Sequence, residues 1–392
     1  MANTDLTQKE KKNTISCLPS LGWMIDRKEI RRAIREAQET GKLHGENLDI
    51  EGILPVKFQR LVDAKEIWLQ NNKIIGWALP KEPCWQKAEL IYLNENDLLD
   101  LPPSLVAGWT KLQELNISGN SRISFIPKEC ETWLNLKQIY LDRLPLLKTI
   151  PDACATWTNL KVLHINQSGL EELPEEAVAN LTNLTSVVLS ECKLKCLPKG
   201  IGQWKKVVKL FLIGNQLCEI PEEIGEMECL EKVYLNSNQI KSIPESIGKL
   251  ANLQELYLTG NPDLYSIPNT VSNCLNLNKL YLNDCDVDQI PNELPNSLEI
   301  LHLNGNKRLD CLPDSVASIP MLKFLHISGT NIATIPSGFE LKDQMRVFEV
   351  GDNKSKLDPK SSELLTTVEA KLVKPWQFSA SSTANVGVEN KS

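Results

Sequence analysis

Two imidazoles and a carboxylate, His302, His326 and Glu349, recur at intervals of about 23 residues. Such a set could hold zinc with one coordination position open. On three adjacent parallel strands these residues would step by roughly 5 Å, which sets the outer two about 10 Å apart at the backbone. That is a stretch for one ion, so no metal and no cofactor are expected. A milder consequence of the same pair would be binding that depends on pH. The eleven cysteines are scattered, and their number is odd. No pair has CxxC spacing, Cys192 and Cys196 being the nearest two. They read as reduced thiols used as small apolar fillers rather than as ligands or disulfides. There is no Walker loop, no GxSxG and no HExxH. The flanks of the chain are too short for a catalytic domain, and no enzyme is expected.

These residues gain meaning from what positions them. Leu-Pro or Ile-Pro recurs at Pro80, Pro102, Pro127, Pro151, Pro174, Pro198, Pro221, Pro244, Pro268, Pro291, Pro313 and Pro336. Between these marks runs a second pattern, clearest in Leu253-Gln-Glu-Leu256-Tyr-Leu258-Thr-Gly-Asn261. Alternate side chains of a short strand point to opposite faces, so the leucines of such a stretch face inward. Asparagine at the end of each pattern can bond backbone groups of neighbouring turns; Asn72, Asn96, Asn120, Asn215, Asn238, Asn261, Asn306 and Asn353 hold that place. Ser168, Cys192, Cys285 and Thr330 can still donate there. Leu144 cannot, and a local distortion is expected around it. Trp85, Trp109, Trp133, Trp157 and Trp204 recur where other repeats carry Leu181, Met227, Leu250 or Ile319. This equivalence with plain aliphatics marks the tryptophans as core filler.

The pattern LxxLxLxxNxL with an IPxxI-type continuation resembles the leucine-rich repeat, over about residues 45–355. The run from Ile220 to Asn261 is similar to the Ras-group, intracellular type. The resemblance implies an α/β solenoid: a horseshoe with a parallel concave sheet, short helical or 3₁₀ segments on the convex side, and a helical N-terminal cap. The expected organisation is a disordered stretch at 1–20, then a capping helix and incomplete first repeat at 21–63. An array of 13 strands would fill 64–357, followed by a capping helix at 358–374 and a disordered tail at 375–392. The first cap is read over Asp26–Lys42 and the incomplete strand over Asn47–Ile50.

One exposed position per strand, between the second and third inward residues, carries an unusual set. It reads Trp68, Tyr92, Asn116, Tyr140, His164, Val188, Phe211, Tyr234, Tyr257, Tyr281, His302, His326 and Glu349. Five of the six tyrosines stand in this column. Tyrosine and tryptophan offer large, rigid contact area with a polar handle. Trp68, Tyr92, Tyr140, His164, Phe211, Tyr234, Tyr257, Tyr281, His302 and His326 are therefore the candidate partner-binding stripe. Cross-strand stacking that merely stabilises the sheet is the competing explanation. Around the column Glu66, Glu114, Lys209, Lys232, Glu255 and Lys279 mix signs, which suits a protein better than a polyanion. The formal net charge of −7 likewise disfavours nucleic acid.

Met1–Ser20 shows no apolar h-region, and no stretch approaches a membrane span. A cytoplasmic monomer is expected. The resemblance implies a non-enzymatic scaffold that binds a partner protein on its concave face, either endogenous or a bacterial effector acting in host cytoplasm. A ligand-sensing, receptor-type repeat domain is the alternative.

Overall fold

The computed structural model describes residues 27–78, 84–339 and 344–372. The disorder expected for 1–20 and 375–392 and the N-cap Asp26 lie outside these residues. One sheet of 14 strands runs the length of the molecule, every strand hydrogen-bonded to the next in chain order. The strands are three residues long and parallel, from Lys42–His44 to Val347–Glu349. Each has its middle residue inside and its two flanking residues on the hollow face. Thus Leu210, Val233, Leu256 and Leu280 are at most 1% exposed, while Phe211, Tyr234, Tyr257 and Tyr281 are half-buried.

Chain return is set by proline. Pro127, Pro151, Pro198, Pro221, Pro244 and Pro268 sit in extended backbone at the head of five-residue 3₁₀ turns. A fixed φ and a missing N–H suit that place, where no intrahelical acceptor is available. Behind these turns Trp85, Trp109, Trp133, Trp157 and Trp204 are fully buried. The first four stack at 5.8–6.4 Å between ring centroids. The indole N–H of Trp133 donates to Val106 O at 3.1 Å, and those of Trp85, Trp157 and Trp204 do the same to carbonyls one repeat back.

Two ends differ from the middle. Helix α1, Arg27–Thr40, packs Ala33 and Ala37 on the core, with Ile30 and Ile34 alongside. Gly41 closes it at φ 75°, its N–H bonded to Ala37 O at 2.9 Å, the left-handed cap that glycine adopts without strain. The strand after it is Lys42–His44, not Asn47–Ile50. Leu43 pairs with Ile67 across the first ladder. Asn47 and Asp49 are turn residues at φ 57° and 51°, held by Leu48 and Ile50 N–H groups donating to Asn72 Oδ1. A second, two-stranded parallel sheet joins Glu51–Leu54 to Lys73–Trp77. At the far end helix α2, Pro359–Lys371, is capped by Asp358, which accepts the Ser361 N–H at 2.8 Å. It buries Leu365 and Val368.

The expected distortion at Leu144 does not occur. Its strand, Gln138–Tyr140, keeps regular register with both neighbours. The reason lies one repeat earlier. In most turns a backbone N–H needs the asparagine Oδ1 of the next repeat, as Leu217 N–H needs Asn238. In the Asn120 loop the Ile123 N–H instead bonds Asn120 O at 3.1 Å, so nothing is left for residue 144 to accept. Asn261 and Asn306 close their own loops in the same way, through Leu264 and Leu309. The repeats that follow them carry Cys285 and Thr330 where asparagine would stand.

Candidate functional site

Strand register brings the candidate column together on the hollow face. Trp68 stacks on Tyr92 at 4.2 Å. Further along, Phe211, Tyr234, Tyr257 and Tyr281 stack in series at 4.5–4.6 Å, with ring planes within 13°. Tyr281 meets His302 edge-on at 4.8 Å, and His302 stacks on His326 at 4.0 Å. Tyr140 and His164 form a separate edge-on pair at 5.1 Å. Asn116 and buried Val188 interrupt the column, so the structure holds two ledges and an isolated pair rather than one stripe. Sequence reasoning missed His44, which pairs with Trp68 in register and stacks on it at 6.1 Å. All four histidines of the chain thus stand in this column. The signal was Leu43, one repeat length before Ile67.

Beside the longer ledge, Lys209, Lys232, Glu255 and Lys279 are neighbours in register on four successive strands. Glu255 is 6% exposed. One carboxylate oxygen accepts Lys232 Nζ at 2.9 Å and Lys279 Nζ at 3.0 Å, and the other accepts the Tyr257 hydroxyl at 2.7 Å. Burial opposes ionisation, but these three donors outweigh it and bring the carboxyl down to about 2. Glu255 is therefore ionised at neutral pH. At the other ledge Tyr92 donates to Glu114 and Trp68 Nε1 to Glu66.

The histidine pair does not converge on a point. The rings lie face to face, 24° apart, and His326 Nδ1 bonds Glu349 at 2.7 Å. Among the described residues no group of three His, Cys, Asp or Glu could hold a metal ion. Burial, with His326 beside it, takes His302 down to about 4. Burial also lowers His326, against the pull of Glu349. Folded His302 stays neutral while the unfolded chain takes up a proton near the ordinary histidine value. Its cost to stability is absent above pH of about 6.5 and grows as pH falls toward about 4. Melting curves should show His302→Gln losing less Tm than the native chain between pH 7 and pH 5. Parallel curves would show that His302 is not held neutral.

Six of the described cysteines are buried and four exposed, and Cys130, Cys154, Cys192, Cys274 and Cys285 among the buried ones are free thiols. Burial raises the thiols of Cys130 and Cys154 to about 12, which suppresses reactivity. No described helix is long and apolar enough to cross a membrane.

The leucine-rich-repeat family, in its two-copy form, matches residues 230–269, where asparagine ladder, proline-led turn and three-residue strand all follow the pattern. The fold is that of a leucine-rich-repeat solenoid. None of the curated proteins compared with this chain matches. Among solved structures, a leucine-rich-repeat protein of Leptospira interrogans is 25% identical, with 86% of this chain and 97% of that one covered at a TM-score of 0.57. YopM from Yersinia enterocolitica is 20% identical, covering 88% of this chain and 71% of its own, with a TM-score of 0.59. The plant peptide hormone receptor RGFR1, in complex with RGF2, is 23% identical over 80% of this chain and 60% of its own, with a TM-score of 0.58. The likeness to the last two is one of fold.

Proposed function

We propose that this leucine-rich-repeat protein is a non-enzymatic interaction module of the cytoplasm that docks a partner protein on its concave face. The observation that carries this is the ledge from Phe211 to His326, six ring side chains in unbroken contact and all half-buried. A sheet face that only met water could be built from threonine, lysine and glutamate. Concentrating aromatics there leaves apolar area in the hollow that a partner can cover, with hydroxyl groups to align it. The receptor RGFR1, of the same fold, is seen in complex with RGF2. For the present chain the free thiols favour a reducing compartment over the receptor-type reading.

Affinity capture with the full chain should recover a discrete protein. Tyr234→Ala with Tyr257→Ala should weaken that complex at least tenfold, about 1.4 kcal/mol. Tyr234→Phe with Tyr257→Phe keeps the stacking and separates ring area from hydroxyl bonding. If the alanine pair melts with the native chain yet captures the partner undiminished, the rings serve the sheet alone and the concave reading is wrong.

A further inference from the structure

Building on the concave reading, we infer that the Phe211–Tyr281 ledge takes an extended, acidic segment of the partner. The rings themselves restrict the occupant. Successive planes lie within 13° at 4.5–4.6 Å, so the faces between neighbouring rings are covered. What remains for a ligand is ring edges and hydroxyls. The edge of an aromatic ring is the positive part of its quadrupole. A ligand that must slip between open ring faces, such as a stacking base, finds none open between these rings.

The lysine row adds the sign. Lys232 and Lys279 share one oxygen of a single buried carboxylate, that of Glu255, whose other oxygen accepts the Tyr257 hydroxyl. Two ammonium groups against one carboxylate leave positive charge at the rim of the ledge. Lys209, in register with Lys232, is exposed and has no acidic partner among the described residues. The next column outward reads Val208, Glu231, Gln254 and Asn278, so a single further carboxylate faces the row. On the other flank of the rings stand Ile213, Asn236, Thr259 and Asn283, which are neutral. In a chain of net charge −7 this is a local excess of cations beside an electropositive ring rim. An extended segment presents side chains alternately, so carboxylates on one face can follow the lysine row while the opposite face stays free. A folded acidic surface would fit the hollow less closely, since the row is one strand-residue wide.

The test uses the full chain and a fluorescent peptide alternating Glu with Thr, beside its Gln counterpart. Binding of the Glu peptide should weaken steadily with added salt and fall about tenfold in Lys209→Glu, a reversal at the rim of a charged interface. Lys209→Gln should give a smaller loss, and both exposed-site variants should melt with the native chain. Three results overturn the inference: no binding of the Glu peptide, equal binding of the Gln peptide, or unchanged affinity in Lys209→Glu. Tighter binding of a single-stranded oligonucleotide than of the Glu peptide also overturns it. If these fail while Tyr234→Ala with Tyr257→Ala still weakens partner capture at least tenfold, the acidic segment is lost and the concave docking surface stands.

Discussion

Trp133→Ala is expected to lower stability by about 3–5 kcal/mol, the usual range for emptying a fully buried aromatic site. Trp133 has no exposed surface and lies between Trp109 at 6.0 Å and Trp157 at 5.8 Å. Truncation removes two ring contacts, leaves a cavity that the stiff turns on either side cannot close, and strips Val106 O of its indole donor. Because each repeat touches only its neighbours, the loss falls on two interfaces at once. The denaturant transition should shift to lower concentration and can split in two. A finer comparison isolates the hydrogen bond. Trp109 Nε1 is buried without a partner, so Trp109→Phe should cost less than Trp133→Phe, although both swap indole for phenyl. A Trp133→Ala variant within about 1 kcal/mol of the native chain would mean that the tryptophan stack is not part of the stabilising core.

The repeat architecture was legible because one requirement is imposed again and again. Leu256 must face inward, Tyr257 must then face outward, and Pro268 must turn the chain back; the same demand recurs at Leu280, Tyr281 and Pro291. Periodicity reads such repetition without knowing any contact. What it missed lies where the pattern is single or three-dimensional. Lys42–His44 was lost because a three-residue strand offers one inward residue, Leu43, and lies against a helix whose own periodicity runs up to it. The second sheet formed by Glu51–Leu54 and Lys73–Trp77 was missed for a related reason: its pairing bulges at Gly52 and Ile53. Glu255 was visible as one of several charges of mixed sign. That it sinks to 6% exposure and gathers two lysines depends on distances across strands, which no spacing encodes. Leu144 is the most instructive case. Read alone it breaks the ladder, but whether a side chain is needed there is decided in the preceding loop, by whether Ile123 finds its acceptor at Asn120.

That distinction yields a second large effect. Asn261→Leu, which copies the residue found naturally at 144, should cost about 3 kcal/mol, although the two positions are equivalent in the repeat. Asn261 is fully buried. Its Oδ1 accepts the Ile240 N–H at 3.1 Å, and its Nδ2 donates to Leu235 O at 3.0 Å and Leu258 O at 2.6 Å. The two carbonyls keep other donors, Asn238 Nδ2 on Leu235 and Cys285 Sγ on Leu258. The Ile240 amide has no such substitute. An orphaned buried donor costs about 1–3 kcal/mol, and each of the two weakened carbonyl bonds roughly 0.5–1.5 more. Hydrogen exchange gives the sharper readout: the Ile240 amide should lose protection in the variant while amides two repeats away keep theirs. Asn261→Cys should fall between, since Cys192 and Cys285 show that a thiol at this position still reaches the carbonyl of the preceding repeat but provides no oxygen for the amide. Were Asn261→Leu as stable as the native chain, with Ile240 still protected, the ladder would be an accompaniment of the fold. The tolerance of Leu144 would then need no special loop to account for it.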